Sequence, residues 1–268
     1  MSKRRRTRVR LFAKTERNPA FLVFLLSLIV MAASALLFVS ECGEAYATAR
    51  YWRDLSARTE TGEILPSLRA LYEQNPDMVG WLRVDNTAIN YPVVQTRDDP
   101  EYYLYRDFDK QISRAGTPFA DFRCRLTPEQ GFNTVLYLHD RLMLELNQYT
   151  YLPNYLEGHR YIQFDTLTQK GVYEVVAAFY ADGDGARLLD PWNPDDPQAY
   201  DFYNYLEVDS LAGFRRYAEG VRTRQILNVD ADFSPRSHLL TLVCCAMRAF
   251  SGIEDTGRLV VIAKRVGS

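Results

Sequence analysis

The sequence predicts a mainly β domain, a closed barrel or a sandwich of eight short strands, preceded by one transmembrane helix. Eight short apolar segments with strand character recur between residues 79 and 263. Helical spacing is confined to one stretch before these strands and to two insertions between them. An uncharged run at residues 20–40 supplies the membrane segment. Short strands at this spacing are typical of barrels and sandwiches.

A basic tail and an uncharged segment begin the chain. Residues 1–19 carry eight Lys or Arg and one acid, and residues 20–40 carry none. A helix of that length rises roughly 30 Å, the thickness of a hydrocarbon core. The basic flank is expected to stay in the cytoplasm, which places the remainder outside the cell. Ala45-Tyr46-Ala47 leaves a cleaved signal peptide as the alternative, although the apolar run is longer than a usual signal core.

The charge balance of the exported part excludes two classes of partner. The 268 residues include 32 basic and 34 acidic side chains. Eight basic residues and one acidic residue lie before Glu41, so 24 and 33 remain from Glu41 onward, a net charge of −9. This sign argues against nucleic acid and against an anionic bilayer bound through the domain surface. We expect a tail at 1–19, an anchor at 20–40, a stalk and helix at 41–76 and one domain at 77–268.

The predicted elements follow from hydrophobic periodicity and turn residues. Helical spacing predicts a helical stretch over residues 44–75, and Asn75-Pro76 marks its end. The same spacing predicts helical insertions within residues 142–156 and 195–220. Asp85-Asn86-Thr87 predicts a hairpin between the first two strands, and residues 98–116 are expected to be irregular. The eight predicted strands are residues 79–84, 89–94, 117–122, 134–138, 161–164, 172–180, 239–243 and 259–263.

Two adjacent cysteines are the main chemical feature. Cys244 and Cys245 end the seventh predicted strand, and Arg258 opens the eighth. A thiol beside a guanidinium gains nucleophilicity from a lowered pKa, and the cation can stabilise an oxyanion. The alternative is that both cysteines are small core residues and Arg258 lies on the surface. Cys42 and Cys124 have no evident partners, so a disulfide scaffold is not expected.

Three histidines are candidates for acid–base work. His139 ends the fourth predicted strand, where it can meet the end of the cysteine strand and form a Cys–His pair. His159 and His238 are interpreted as structural, because they adjoin strand starts.

No metal or cofactor site is predicted. Metal-ligand spacings such as Cys-x-x-Cys and His-Glu-x-x-His do not occur in the sequence. The run Asp182-Gly183-Asp184-Gly185 begins like a calcium loop, but Ala186 breaks its acidic alternation.

Three ordered stretches of the sequence match the motifs of one known family. NPDMVGWL (75–82) with INYPVVQ (89–95) is similar to the pattern NPDVVGWI…IDYPVVQ. AGTPFADFR (115–123) resembles AGSIFLDYR. TLVCC (241–245) followed by RLVVIAKR (258–265) resembles the TLxTC…R-(V/I)VV signature. In these stretches, and over roughly residues 65–266, the chain resembles the class B sortases, cysteine transpeptidases of the outer face of Gram-positive bacteria.

The resemblance implies a fold, a chemistry and a set of partners. The fold is an eight-stranded sortase barrel with N-terminal helices and a helix before the seventh strand. Cys245 is implied as nucleophile, His139 as acid/base and Arg258 as the clamp on the oxyanion and substrate. The family cleaves a sorting signal on a surface protein and passes the acyl group to an amine of a peptidoglycan precursor or a pilin, without a cofactor.

Three positions depart from the family pattern. Leu138 and Asp140 flank His139, where the family usually has Gly and Asn, and Cys244 replaces the threonine before the nucleophile. Strand alternation points Cys244 and Cys245 to opposite faces, so one of them faces the pocket. Two alternatives to a sortase therefore stay open: a hydrolytic cysteine peptidase and a catalytically silent, wall-bound interaction module.

Overall fold

The computed structural model describes residues 27, 28, 30–32, 63–126, 131–139, 141–181, 204–245 and 257–267. The chain divides into two compact units, Met1–Thr48 and Ala49–Ser268. The described residues of the first unit are helical and lie within the predicted anchor. Among all described residues, none belongs to a helix with the length and apolarity needed to cross a bilayer. The anchor therefore stays a prediction, as do the domain boundaries.

The second unit confirms the eight predicted strands. They are β1 (Met78–Val84), β2 (Asn90–Val94), β3 (Phe119–Ala120), β4 (Asn133–Tyr137), β5 (Tyr161–Thr166), β6 (Val172–Ala181), β7 (Leu239–Cys245) and β8 (Arg258–Arg265). The helices are α1 (Pro66–Gln74), α2 (Arg141–Tyr151), α3 (Tyr155–Gly158) and α4 (Leu211–Arg224), and a 3₁₀ turn spans Tyr102–Tyr105. The helix predicted before the seventh strand is thus α4.

The strands close into a barrel, which decides between the barrel and the sandwich that the sequence left open. Their order is β1-β2-β3-β4-β7-β8-β6-β5, and β5 returns to pair with β1. β1 and β2 form the predicted antiparallel hairpin, with Asn86 in the left-handed region at φ 62°. β4 runs parallel to β7, whereas β8 is antiparallel to both β7 and β6.

Alternation along each strand separates two apolar layers. One layer takes side chains from all eight strands and fills the barrel interior; on β7 it includes Leu240, Leu242 and Cys244. The other lies outside the barrel, where Tyr217 and Val221 of α4 pack against the opposite faces of β4, β6, β7 and β8. Residues of β7 therefore face the interior at even numbers and the outer layer at odd numbers.

α2 packs at the end of the barrel where β4, β6 and β7 finish. It begins soon after β4 and contacts β6, β7 and β8. Leu142, Leu146 and Tyr149 insert into the interior layer. The helical insertion predicted at 142–156 is present as two helices, because Pro153 and a left-handed Asn154 separate α2 from α3.

Two other predicted elements differ in length. The third strand was predicted over residues 117–122, but β3 has two residues. Thr117 is bound instead to the 3₁₀ segment, donating its N–H to the Tyr103 carbonyl and its hydroxyl to the Arg106 carbonyl. The helix predicted within 195–220 is α4, which starts at Leu211 with the Ser210 hydroxyl accepting from the Gly213 N–H. Residues 44–62 and 195–203 of the predicted helices lie outside the described residues.

The start of β1 is fastened to the connection between β2 and β3. The buried Asn75 side chain donates to the Tyr103 hydroxyl (2.7 Å) and to the Phe108 carbonyl (2.8 Å). The Tyr103 hydroxyl donates in turn to Asp77 (2.8 Å), which also pairs with Lys110 (2.9 Å). This network explains the Asn-Pro-Asp stretch and holds the 3₁₀ turn that carries Tyr105.

Candidate active site

Cys245 and Arg258 face each other across the last pair of the β7–β8 ladder. Their Cα atoms are register partners. Directly opposed residues of an antiparallel pair put their side chains on one face, with Cβ atoms about 5 Å apart. By alternation both lie on the outer face, and the Cys245 side chain is partly exposed. The thiol and the guanidinium therefore share one space at the end of the barrel.

His139 joins this row from the other side of β7. Tyr137 is the register partner of Val243, and the Leu138 N–H donates to the Val243 carbonyl (2.8 Å), which continues the parallel ladder past β4. His139 thus comes level with Cys245. It shares the face of Tyr137, which belongs to the outer layer. The structure brings together Cys245, His139 and Arg258, the three predicted site residues.

The strand beneath His139 is supported by a buried charged cluster. The Asp121 carboxylate is fully buried and accepts two hydrogen bonds from the Arg123 guanidinium, at 2.9 and 2.8 Å. The Tyr137 hydroxyl donates to the same carboxylate (3.1 Å). Burial, reinforced by the charge of Asp121, raises the pKa of Tyr137 well above its ordinary value, so the phenol stays a donor. This cluster fixes the face of β4 from which His139 projects.

The other two histidines have structural contacts away from this row. The His159 ring stacks on Tyr155 with centroids 3.9 Å apart, and its Nδ1 lies 2.9 Å from the Tyr155 carbonyl. His238 precedes β7, at the opposite end of that strand from Cys245, and its Nδ1 lies 3.3 Å from the Gly131 carbonyl.

The chain is similar to known proteins over most of its length. Sortase B of Staphylococcus aureus is 27% identical over 204 residues, 75% of each protein. Sortase B of Listeria monocytogenes is 28% identical over 226 residues, 82% of each. A Bacillus anthracis protein similar to sortase B has a solved structure with a TM-score of 0.61 at 25% identity, covering 83% of this chain and 96% of that one. No protein-family model matches.

The chain is similar to the class B sortases in both sequence and fold. The structure of a Staphylococcus aureus sortase B–substrate complex shares its fold, with a TM-score of 0.61 and 23% identity over 85% of this chain and 98% of that one. Sortases are cysteine transpeptidases, and the Cys245 row lies at strand ends of this sortase barrel.

Cys244 is the less suitable of the two thiols as a sortase nucleophile. It is 1% exposed and packs in the barrel interior. Burial raises the pKa of the Cys244 thiol far above its ordinary value, and the nearby Arg258 charge offsets this only in part. A buried neutral thiol is a poor nucleophile. Cys124 is also buried, and burial raises the pKa of its thiol to about 12.

Two departures from the sortase pattern point away from the reactive face. Leu138 is 4% exposed and, like Cys244, belongs to the interior layer. The bulk added by Leu138 and the thiol of Cys244 therefore both lie in the core of the barrel. The third departure, Asp140, lies outside the described residues, as do Cys42, Asp182–Ala186 and the loop at 246–256.

Two residues near the row were missed by sequence reasoning. Tyr105 is 57% exposed and directs its ring edge-on against His139, with centroids 5.5 Å apart at 87°. Asn147 of α2 is fully buried and contacts both cysteines. Tyr105 lies in a segment without hydrophobic periodicity, so nothing in the sequence pointed to it. Asn147 could have been noticed, because it is a lone amide on the apolar stripe of a predicted helix.

Proposed function

We propose that this chain is a membrane-anchored sortase that cleaves a C-terminal sorting signal and joins the protein to an amine. One relationship carries the proposal: Cys245 and Arg258 are register partners on the outer face, His139 follows the end of β4 beside β7, and Cys244 is turned into the core. Arg258 is a fixed cation opposite the nucleophile, where an oxyanion forms during acyl transfer. His139 is a base and acid next to the thiol.

The steps follow from these positions. The Cys245 thiolate attacks the carbonyl carbon of the scissile peptide bond, and the resulting oxyanion is stabilised by Arg258. The carbon–nitrogen bond breaks as His139 gives a proton to the leaving amine, which leaves a thioester on Cys245. An incoming amine attacks the thioester and loses its proton to His139. The new amide then forms, and the Cys245 thiolate is released.

The proposed acceptor is an amine of a peptidoglycan precursor or of a pilin, and the proposed substrate is a surface protein with a sorting signal. The family and the names of its relatives support this assignment. The uncharged run at 20–40 and the basic tail support a single span, with the N-terminus in the cytoplasm and the catalytic domain outside. Protease added to intact cells would digest the domain if this orientation is correct and would spare it if reversed.

The chemistry is tested by intact mass of the full-length chain in detergent after incubation with a panel of sorting-signal peptides. We expect an acyl adduct that maps to Cys245 and that an added diamine discharges as a new amide. The Cys245→Ala variant should form no adduct, whereas Cys244→Ala should still form one on Cys245. Discharge by water alone would identify a hydrolytic peptidase. A folded, thiol-reactive chain that no peptide acylates would favour a silent interaction module.

A further inference from the structure

Asn147 is a buried amide on an otherwise apolar face of α2. Its side chain is fully buried, and its helix neighbours Leu146 and Tyr149 insert into the barrel interior. Burying an amide without hydrogen-bond partners is costly, and a leucine here would pack without that cost. An asparagine at this position therefore indicates that the hydrogen bonds of its side chain have a role.

Its Nδ2 group donates to the end of β7. One contact reaches the Cys245 carbonyl oxygen at 3.3 Å and the other reaches the Cys244 Sγ at 3.6 Å. The Cys244 thiol itself donates to the Cys245 carbonyl at 3.4 Å. The three groups form a closed set in which the Cys245 carbonyl accepts from both neighbours. A neutral Cys244 thiol, which burial favours, is the state that can donate.

The helix that carries Asn147 is itself fixed to the barrel. Thr150, one turn later, donates its hydroxyl to the Asn147 carbonyl (2.8 Å). The same hydroxyl lies 2.7 Å from the Tyr180 hydroxyl, near the end of β6. Successive turns of α2 are thus hydrogen-bonded to β7 through Asn147 and to β6 through Thr150. The contact with β6 fixes the position from which Asn147 binds the end of β7.

We propose that Asn147 is a positioning residue for the Cys245 nucleophile. The proposal rests on the function proposed above. Cys245 is the last residue of β7. Holding its carbonyl fixes the peptide plane that follows the residue, and with it the direction in which the thiol leaves the backbone. Because a displacement of about 1 Å can slow a reaction on the order of 100-fold, this restraint keeps the thiol in line with His139 and Arg258.

The test compares the wild-type full-length chain with Asn147→Leu, using two readouts. The first is single-turnover acylation by a sorting peptide, for which we expect a rate lower by roughly tenfold to 100-fold, with KM changed by less than about twofold. The second is the rate of iodoacetamide alkylation at Cys245, mapped by peptide mass. We expect alkylation to be slower, because a thiol displaced from Arg258 loses the neighbouring cation that favours its nucleophilic form.

The matched control is Thr241→Val, on the same strand and equally buried. Thr241 lies four residues before Cys245, and its hydroxyl donates to the buried Asn133 side chain at 2.8 Å. This variant also loses a buried hydrogen bond of β7, yet we expect wild-type rates of acylation and alkylation. If Asn147→Leu does not fold, Asn147→Ala replaces it, since alanine favours the helix and leaves only a small cavity.

The proposal is overturned if the folded Asn147 variant keeps the wild-type rates of acylation and alkylation. It is also overturned if Thr241→Val changes acylation and alkylation as much as the Asn147 variant does, which would reveal a general loss of stability. If no peptide acylates the wild-type chain, the proposed function fails, while the alkylation comparison still decides whether Asn147 positions Cys245.

Discussion

Cys245 and Arg258 are opposed residues at the last pair of an antiparallel ladder, so their relative position is set by backbone pairing rather than by flexible loops. The ladder continues through seven register pairs back to Leu239 and Lys264. A site built on strands holds its groups more firmly than one built on loops.

Replacing Arg258 tests this relationship. Arg258→Ala should lower acyl-enzyme formation on the order of 100-fold or more, because it removes the cation opposite the thiol. Single-turnover kinetics measure the effect. Lys264→Ala is the control, since Lys264 lies on the same strand but pairs with the exposed Asp232 (3.0 Å). Equal rates in wild-type and Arg258→Ala chains would contradict the assigned role.

Tyr105 is expected to orient the His139 imidazole. An edge-to-face pair contributes about 0.5–1.5 kcal/mol, so Tyr105→Ala should reduce turnover by roughly twofold to tenfold, while Tyr105→Phe retains the ring and the rate. Thermal stability should change little because Tyr105 is 57% exposed. Ile112→Ala, at an 89% exposed position of the same connection, should leave turnover unaltered. Loss of activity in the phenylalanine variant would indicate a role for the hydroxyl instead.

The buried carboxylate of Asp121 makes Arg123 important for stability. Arg123→Met removes both guanidinium bonds to a fully buried charge, and we expect a loss of about 3–5 kcal/mol in the free energy of unfolding. Adding Asp121→Asn to this variant removes the unpaired charge and should recover part of the loss. Urea unfolding of the single and double variants measures both. A single variant as stable as wild type would show that Asp121 does not depend on Arg123.

Asp77 gives the fold a dependence on acid. Partial burial raises the pKa of its carboxyl, but hydrogen bonds from Lys110 and Tyr103, with the Lys110 charge, outweigh this and lower the pKa below 3.8. A lowered pKa contributes stability that is present above that ordinary value and is lost as pH falls through the folded-state pKa.

Asp77→Asn should therefore lower the free energy of unfolding at pH 7 by at most about 1 kcal/mol, because the Asp77–Lys110 pair is partly exposed to solvent. This loss should become smaller as the pH falls below about 4. Thermal melts between pH 3 and 7 would show the difference narrowing in acid. Asp109→Asn, an exposed position of the same connection that accepts from Gln74 (2.5 Å), is the control. A difference that widens in acid would contradict the assigned pKa direction.

Much of the fold was readable from local patterns. The eight strands were located by apolar segments and turn residues, and Asn86 in its left-handed conformation makes the predicted hairpin. One error arose where tertiary contacts outcompeted local preference: Thr117 gives its donors to the 3₁₀ segment instead of extending β3. That competition depends on residues distant in sequence. The other error was local, because Pro153 with Asn154 divides the helical insertion predicted at 142–156.

The sequence by itself determined the two thiols, the histidine at a strand end, the arginine at a strand start and the alternation that separates Cys244 from Cys245. Only the tertiary structure decided that the strands close into a barrel and that β4 lies parallel to β7, which brings His139 level with Cys245. It also decided which face meets the core, and that Asn147 reaches the strand end. Period-two alternation is a property of neighbouring residues, whereas strand order and the partners of a buried amide come from pairing between segments some hundred residues apart.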